Sequence, residues 1–224
     1  MITVHHLNNS RSQRILWLLE ELDLPYEIKH YWRDPRTMLA PPELRAVHPL
    51  GKSPVITDEA LTLAESGVIM EYLADRYGSG RLIPAHGTPA RLRSQYWLHY
   101  AEGSAMPLLL LKLVFQRVET APAPFFVRPV AKGIAGKVQQ SFVDPQIALH
   151  LAYLEGELAK TEWFGGADFS VADIGMSFPL EAAAARSGLD DRHRRLQAFL
   201  QRIHARPAYQ RALQRGGEYS LLSS

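Results

Sequence analysis

The sequence predicts a small α/β domain followed by an all-helical domain. Over the first third of the chain, strand and helix patterns follow the order β-α-β-α-β-β-α, which fits a mixed sheet covered by helices. A stretch rich in glycine and proline comes next, and beyond it only helical patterns are convincing. We therefore place the first domain at residues 1–78, a linker at 79–89 and the helical domain at 90–224.

The elements of the first domain each have a local sequence signal. In the first helix, apolar residues from Ile15 to Leu22 recur at helical spacing, and Pro25 ends the pattern. Pro54 has no N–H, so a strand can begin after it but cannot carry it inside a ladder. The predicted elements are strands at 2–7, 26–29, 55–57 and 61–64, and helices from about 12, at 43–47 and at 66–77.

The second domain consists of helical patterns interrupted by proline. Pro107 should kink or end the first of these helices, and Pro207 should interrupt the last. Ser170 and Asp173 have the spacing of a capping box, which marks the start of a further helix. The predicted helices lie at 91–103, at 143–158, after Ser170 and at 196–213, with a break at 121–124.

Composition excludes several kinds of site. The 224 residues include no cysteine, so any sulfur chemistry needs a thiol brought by a ligand. Lys+Arg 25 against Asp+Glu 23 gives no reason to expect nucleic acid. The longest apolar run, 106–115, is too short to span a bilayer, and no signal peptide opens the chain. We expect a cytoplasmic protein without a membrane or nucleic-acid partner, and without a metal, because His5 and His6 lack further ligands at a suitable spacing.

Two short segments carry the strongest functional signal. Lys52 offers a cation, and Ser53-Pro54 is a context in which a cis peptide bond is accessible. A cis bond would turn the N–H and C=O of Ser53 outward, where they can pair with an extended ligand. Glu65-Ser66 comes directly before a helical pattern, and a free helix N-terminus attracts an anion. This combination suits a short peptide with a carboxylate at each end.

The chain resembles the cytosolic glutathione S-transferases over nearly its whole length. The resemblance is to the serine-type enzymes, theta-like or of a related bacterial or fungal class. The motifs that carry it are Asn9-Ser10-Arg11-Ser12-Gln13-Arg14, Pro49-Leu50-Gly51-Lys52-Ser53-Pro54, Glu65-Ser66 and Ser170-x-x-Asp173. Together these motifs are highly specific, although Ser-Pro or Glu-Ser alone would mean little.

The resemblance implies a thioredoxin-like first domain, a homodimer, and glutathione as co-substrate. It implies that Ser53, next to a cis Pro54, bonds the cysteinyl backbone of glutathione and that Lys52 reaches the glycyl carboxylate. Glu65 and Ser66 would hold the amino and carboxylate groups of the γ-glutamyl residue. Without a ligand, Lys52 would be a solvated loop charge and Glu65-Ser66 an ordinary helix start.

Ser10 falls where the serine-type classes keep the hydroxyl that bonds the glutathione thiolate. A free cysteine-like thiol has a pKa near 8.5, so most of it is un-ionised at neutral pH. A hydrogen bond to the charged form contributes roughly 1.5–3 kcal/mol, which lowers the thiol pKa by about one or two units. Asn9 and Ser12 are alternatives, because the polar run at 8–12 blurs the register, and Ser10 as a helix cap alone also stays open.

The electrophile pocket should lie between the two domains. Tyr100, Met106 and Phe115 are candidates for its apolar wall, although their spacing also fits packed core. The predicted function is a glutathione transferase that attacks hydrophobic electrophiles, with reduction of organic hydroperoxides as a further activity. The alternatives are a non-catalytic interaction module of the same fold and a glutathione-dependent isomerase or dehalogenase.

Overall fold

The first domain is built on a mixed sheet. A computed structural model describes residues 1–217, 219 and 221. Its sheet has four strands within these residues, in the order β2-β1-β3-β4. The strands are β1 (Ile2–Leu7), β2 (Tyr26–Tyr31), β3 (Val55–Asp58) and β4 (Leu61–Ala64). β1 pairs in parallel with β2 and antiparallel with β3, and β4 pairs antiparallel with β3 at the edge.

Three helices accompany this sheet in the described part of the first domain. They are α1 (Ser12–Glu21), α2 (Pro42–Val47) and α3 (Ser66–Tyr77). All apolar residues of α1 are buried, because one side of the helix faces the sheet and the other faces the helical domain. The observed element order is the predicted one, so the predicted α/β fold of this domain is confirmed.

Among the described residues, the regular secondary structure of the second domain is helical, apart from one isolated bridge between Trp163 and Gly166. Its helices are α4 (Pro89–Tyr100), α5 (Met106–Thr120), α6 (Arg128–Val138), α7 (Asp144–Glu157), α8 (Val171–Ser187), α9 (Arg194–His204) and α10 (Pro207–Gly216). The helix α6 has no counterpart in the sequence-based prediction. The predicted breaks before α6 and at Pro207 are present.

Two wide turns join helices of the second domain end to end. A π-helical turn, Ala101–Ala105, connects α4 to α5, and a second, Gln139–Val143, connects α6 to α7. Pro107 and Pro145 each occupy the second position of the helix that follows. Proline lacks an N–H, and the first turn of a helix is where its absence matters least. Pro107 therefore neither ends the helical path nor stops it from continuing to Thr120.

The helix α8 runs through the centre of the molecule. Its N-terminus carries the predicted capping box, in which Ser170 Oγ accepts from Ala172 N at 3.2 Å and Asp173 Oδ2 accepts from Ser170 N at 2.9 Å. All of its residues from Val171 to Ala183 are buried. It packs against α1 and α3 of the first domain and against α4, α5 and α9, so it holds the two domains together.

Candidate functional site

A cleft of about 670 Å³ lies between the two domains. The first domain contributes the turn before α1, the segment before β3 and the start of α3. The helical domain contributes Glu102 of the first π-helical turn and side chains of α5 and α8. A cleft of this size is typical of sites for small molecules.

The structure brings the five predicted glutathione-facing residues together in this cleft. Lys52, Ser53, Pro54, Glu65 and Ser66 all belong to its lining. The peptide bond between Ser53 and Pro54 is cis, and β3 begins directly after it. Two segments about ten residues apart in the chain therefore face the same space.

An unusual backbone conformation separates β4 from α3. Glu65 has φ 71° and ψ 120°, although residues other than glycine rarely adopt positive φ. The reversal takes the chain off the sheet edge so that α3 starts at once with Ser66. The carboxylate of Glu65 is exposed towards the cleft, whereas Ser66 is buried at the helix N-terminus.

Arg14 of α1 donates a hydrogen bond to Ser66. Its Nη2 donates to Ser66 Oγ at 3.0 Å, and its Nη1 donates to the carbonyl of Gly175 in α8 at 2.6 Å. The Arg14 side chain is only 2% exposed, and it also forms an ion pair with Glu102. One buried guanidinium thus connects the start of α3, the centre of α8 and the π-helical turn between α4 and α5.

Glu102 forms a second ion pair with Arg11, whose Nε lies 2.8 Å from Glu102 Oε2. Burial by itself would raise the pKa of Glu102. The guanidinium groups of Arg14 and Arg11 outweigh this effect and hold the pKa below its ordinary value. The carboxylate is therefore ionised at neutral pH and neutralises part of the positive charge at the first domain's wall.

The hydroxyls at the start of α1 form a buried chain. Ser10 Oγ lies 2.7 Å from Ser12 Oγ and 3.3 Å from Ser53 Oγ, to which it donates. Ser53 Oγ donates to the carbonyl of His5 at 3.1 Å, and Ser12 Oγ lies 2.9 Å from His6 Nδ1. Ser10 and Ser12 are both buried and neither belongs to the cleft lining, whereas their neighbour in sequence, Asn9, does.

Asn9 adopts a left-handed conformation with φ 51°, which asparagine tolerates better than most residues. The turn leaves Asn9 half-buried at the cleft, directly before the buried Ser10. Of Asn9, Ser10 and Ser12, Asn9 is therefore the one that belongs to the cleft lining.

The helical domain supplies an apolar wall. Met106, Leu110 and Leu113 of α5 line the cleft together with Phe178 of α8. Of the predicted pocket residues, Met106 is in this lining. Tyr100 and Phe115 are not. The hydroxyl of Tyr100 lies 2.5 Å from His150 Nδ1 on α7, and Phe115 packs against the hydrophobic core.

Four arginines in the lining had no place in the sequence-based site. Besides Arg11, these are Arg33 after β2, Arg117 near the end of α5 and Arg186 near the end of α8. They lie far apart in the chain and have no motif in common, so only the packing of the two domains brings them together.

Among the residues described, no three His, Cys, Asp or Glu side chains are grouped so that they could hold a metal ion. In the same part of the chain, none of the helices combines the length and the apolar character needed to cross a membrane.

The sheet, the helical domain and the cleft define a two-domain protein with a thioredoxin-like first domain. Known proteins share this arrangement. The glutathione S-transferase N-terminal domain family matches residues 10–76, and the C-terminal domain family matches residues 125–207. Glutathione S-transferase 3 of Schizosaccharomyces pombe is 36% identical over 93% of this chain and 85% of its own length.

Solved structures give the same result. A glutathione S-transferase from Actinobacillus pleuropneumoniae superimposes with a TM-score of 0.79 at 32% identity, covering 100% of this chain and 97% of the other. A sphingomonad glutathione S-transferase complexed with glutathione has a TM-score of 0.73 at 26% identity, covering 96% and 98%. The chain belongs to the glutathione S-transferase family, which confirms the predicted family, fold class and enzyme class, while the serine-type subclass stays a prediction.

Proposed function

We propose that this enzyme binds glutathione along the cis Ser53-Pro54 segment and delivers the glutathione sulfur to the turn before α1. The observation that carries the proposal is that all five predicted glutathione-facing residues line a single interdomain cleft. The sphingomonad relative, which is complexed with glutathione, has the same fold. In this arrangement Lys52 pairs with the glycyl carboxylate, while Glu65 and Ser66 hold the γ-glutamyl amino and carboxylate groups.

The proposed thiolate contact comes from the turn at residues 9–12. Ser10 is the donor implied by the family resemblance, with Asn9 and Ser12 as alternatives. The position in the cleft favours Asn9, because Asn9 belongs to the lining whereas Ser10 and Ser12 are buried outside it. The side-chain amide N–H of Asn9 can donate a hydrogen bond to the negatively charged thiolate. This bond stabilises the ionised form of the sulfur and therefore lowers the pKa of the thiol. Ser10 then supports the turn from behind.

The chemical step needs no further protein group. The ionised sulfur forms a C–S bond with an electrophilic carbon lying against Met106 and Leu110, and the leaving group departs with its electron pair. With an organic hydroperoxide, the sulfur takes one peroxide oxygen and an alcohol leaves. A second glutathione then gives the disulfide and water. A glutathione-dependent isomerase or dehalogenase would use the same thiolate and differ only in its substrate.

Calorimetry with glutathione, followed by a conjugation assay on an aromatic electrophile, tests this proposal. We expect saturable binding that Lys52→Ala weakens, while Lys132→Ala, which removes an exposed lysine outside the cleft lining, leaves it unchanged. Absence of glutathione binding would refute the proposed function. Binding without turnover of any electrophile or hydroperoxide would favour the non-catalytic module.

The proposal also includes a homodimer and a cytoplasmic location, which the family resemblance and the sequence led us to expect. Light scattering on the purified protein and fractionation of the cells that produce it test these two points. A monomer at micromolar concentration, or recovery with membranes, would contradict them.

A further inference from the structure

The cleft carries more positive charge than glutathione needs. Its lining includes five cationic side chains and two carboxylates: Arg11, Arg33, Lys52, Arg117 and Arg186 against Glu65 and Glu102. Glutathione with an ionised sulfur carries two net negative charges, because two carboxylates and a thiolate outweigh one ammonium group. With this co-substrate bound, the lining keeps an uncompensated positive charge.

Within the described part of the chain, three of these cations have no partner of opposite charge. Arg11 is paired with Glu102, and Lys52 has a proposed role towards the glycyl carboxylate. For Arg33, Arg117 and Arg186, no carboxylate among the described residues lies within ion-pairing distance. Burial, followed by the like charge of Arg11 and of Arg117, lowers the pKa of Arg33 and of Arg186.

Main-chain contacts hold two of these guanidinium groups at the cleft. Arg33 donates from Nε to the carbonyl of Asn8 at 3.3 Å and from Nη1 to that of Met38 at 3.1 Å. Arg186 donates from Nη1 to the carbonyl of Leu109 at 3.3 Å. Without such contacts, the like-charged guanidinium groups would repel one another and point into solvent. These two are half-buried and held by main-chain carbonyls, one on each domain, and the exposed Arg117 lies close enough to lower the pKa of both.

We propose that the electrophile accepted by this cleft carries a carboxylate, which Arg33, Arg117 and Arg186 bind while its apolar body lies on Met106, Leu110 and Leu113. The inference rests on the proposed function, since it names the substrate class of the same site. Guanidinium groups suit this task because each presents a planar set of donors that matches a carboxylate.

A pair of probes that differ in one charge tests the inference. The probes are 4-chloro-3-nitrobenzoate and 4-chloro-3-nitrobenzamide, which share the displaceable chloride. Their dissociation constants are measured on protein saturated with S-methylglutathione, which cannot react, and their kcat/KM values are measured with glutathione. We expect the wild type to prefer the benzoate and Arg117→Gln/Arg186→Gln to reduce the preference about tenfold or more. Arg117→Lys/Arg186→Lys should restore part of it.

The control is Arg192→Gln, which removes an arginine that is 81% exposed and lies outside this cleft. It should leave the preference unchanged. If the double variant does not fold, Arg117→Gln alone changes only an exposed side chain and carries the test. A preference that the variants do not reduce, or a wild type that binds the two probes equally, overturns the inference. Failure of S-methylglutathione to bind would instead overturn the proposed function, and the probe affinities of the unliganded protein would then decide the inference separately.

Discussion

The hydroxyl of Ser66 accepts a hydrogen bond at 3.0 Å from Nη2 of Arg14, a side chain that is only 2% exposed. The same guanidinium reaches the carbonyl of Gly175, 161 positions away in the sequence, at 2.6 Å. The residue proposed to hold the γ-glutamyl carboxylate is thus positioned by a contact that also joins the two domains. Stability of the domain interface and geometry of the glutathione site should therefore change together.

Replacing Arg14 by methionine tests this coupling. We expect Arg14→Met to lower the free energy of unfolding by about 3 kcal/mol, because it leaves Glu102 without its most buried partner. It should also weaken glutathione binding, since Ser66 loses the donor that orients it. Urea unfolding and calorimetry measure the two effects. The exposed Arg36→Met is the control, and an effect of Arg14→Met no larger than that of the control would contradict the coupling.

The contact to the thiolate is tested at three positions. Asn9→Ala should reduce kcat about tenfold or more and raise the pKa of bound glutathione by about one unit, because one hydrogen bond to the charged form is lost. The ultraviolet absorbance of the thiolate, followed against pH, reports that pKa. Ser10→Ala and Ser12→Ala should change it less.

The reverse order of effects would be equally informative. If Ser10→Ala raised the pKa of the bound thiol and Asn9→Ala did not, the donor implied by the family resemblance would be the correct one. Glutathione affinity should stay near the wild-type value in all three variants, so that a lower kcat is not a consequence of an empty site.

Local signals carried most of the sequence-based prediction. Pro54 marks the start of β3 because proline cannot lie inside a ladder, and Ser170 with Asp173 marks the start of α8 because both side chains satisfy backbone groups next to them. Each of these features depends on residues within a few positions of one another. The fold order followed from them, and the site segments were recognised for the same reason.

Contacts between residues far apart in the sequence could not be predicted from such local signals. Nothing near Arg14 or Arg186 in sequence indicates that their partners lie in the other domain or in another helix. The helix α6 was missed because Gly133 and Gly136 lower its helical propensity. Tyr100 satisfied the expected apolar spacing, but the rotation of α4 turns it towards His150 instead of the cleft.

The capping box of α8 should be a large contributor to stability. Asp173 is fully buried and accepts from the backbone N–H groups of Phe164, at 2.7 Å, and Ser170, at 2.9 Å. Asp173→Ala leaves both donors unsatisfied, so we expect a loss of about 3 kcal/mol or more in the free energy of unfolding. Urea unfolding measures this loss. Asp168→Ala, in the exposed loop just before the box, is the matched control. A loss below about 1 kcal/mol would show that the box contributes little.

The stability of the fold should depend on pH through His6, a buried residue of β1. Burial, with a smaller effect of His30, lowers the pKa of His6 to about 4, against an ordinary value of 6.5. The unfolded chain therefore binds a proton at His6 before the folded chain does. The resulting stability is fully present above pH 6.5 and is lost as the pH falls towards 4. Between pH 7.5 and pH 5, the His6 contribution should decrease by about 2 kcal/mol.

Urea unfolding of the wild type and of His6→Asn at these two pH values measures this contribution. The variant should be less stable at pH 7.5 because asparagine replaces the imidazole beside Ser12, but its stability should fall less towards pH 5. His99→Asn, which removes an exposed histidine, should keep the wild-type dependence. His5 lies on the same strand, and burial followed by the charge of Lys29 also lowers its pKa, so part of the dependence should survive in His6→Asn. If His6→Asn and the wild type lost the same stability between pH 7.5 and pH 5, His6 would already be protonated in the folded protein. The imidazole would then be charged where it contacts Ser12, at the end of the buried hydroxyl chain.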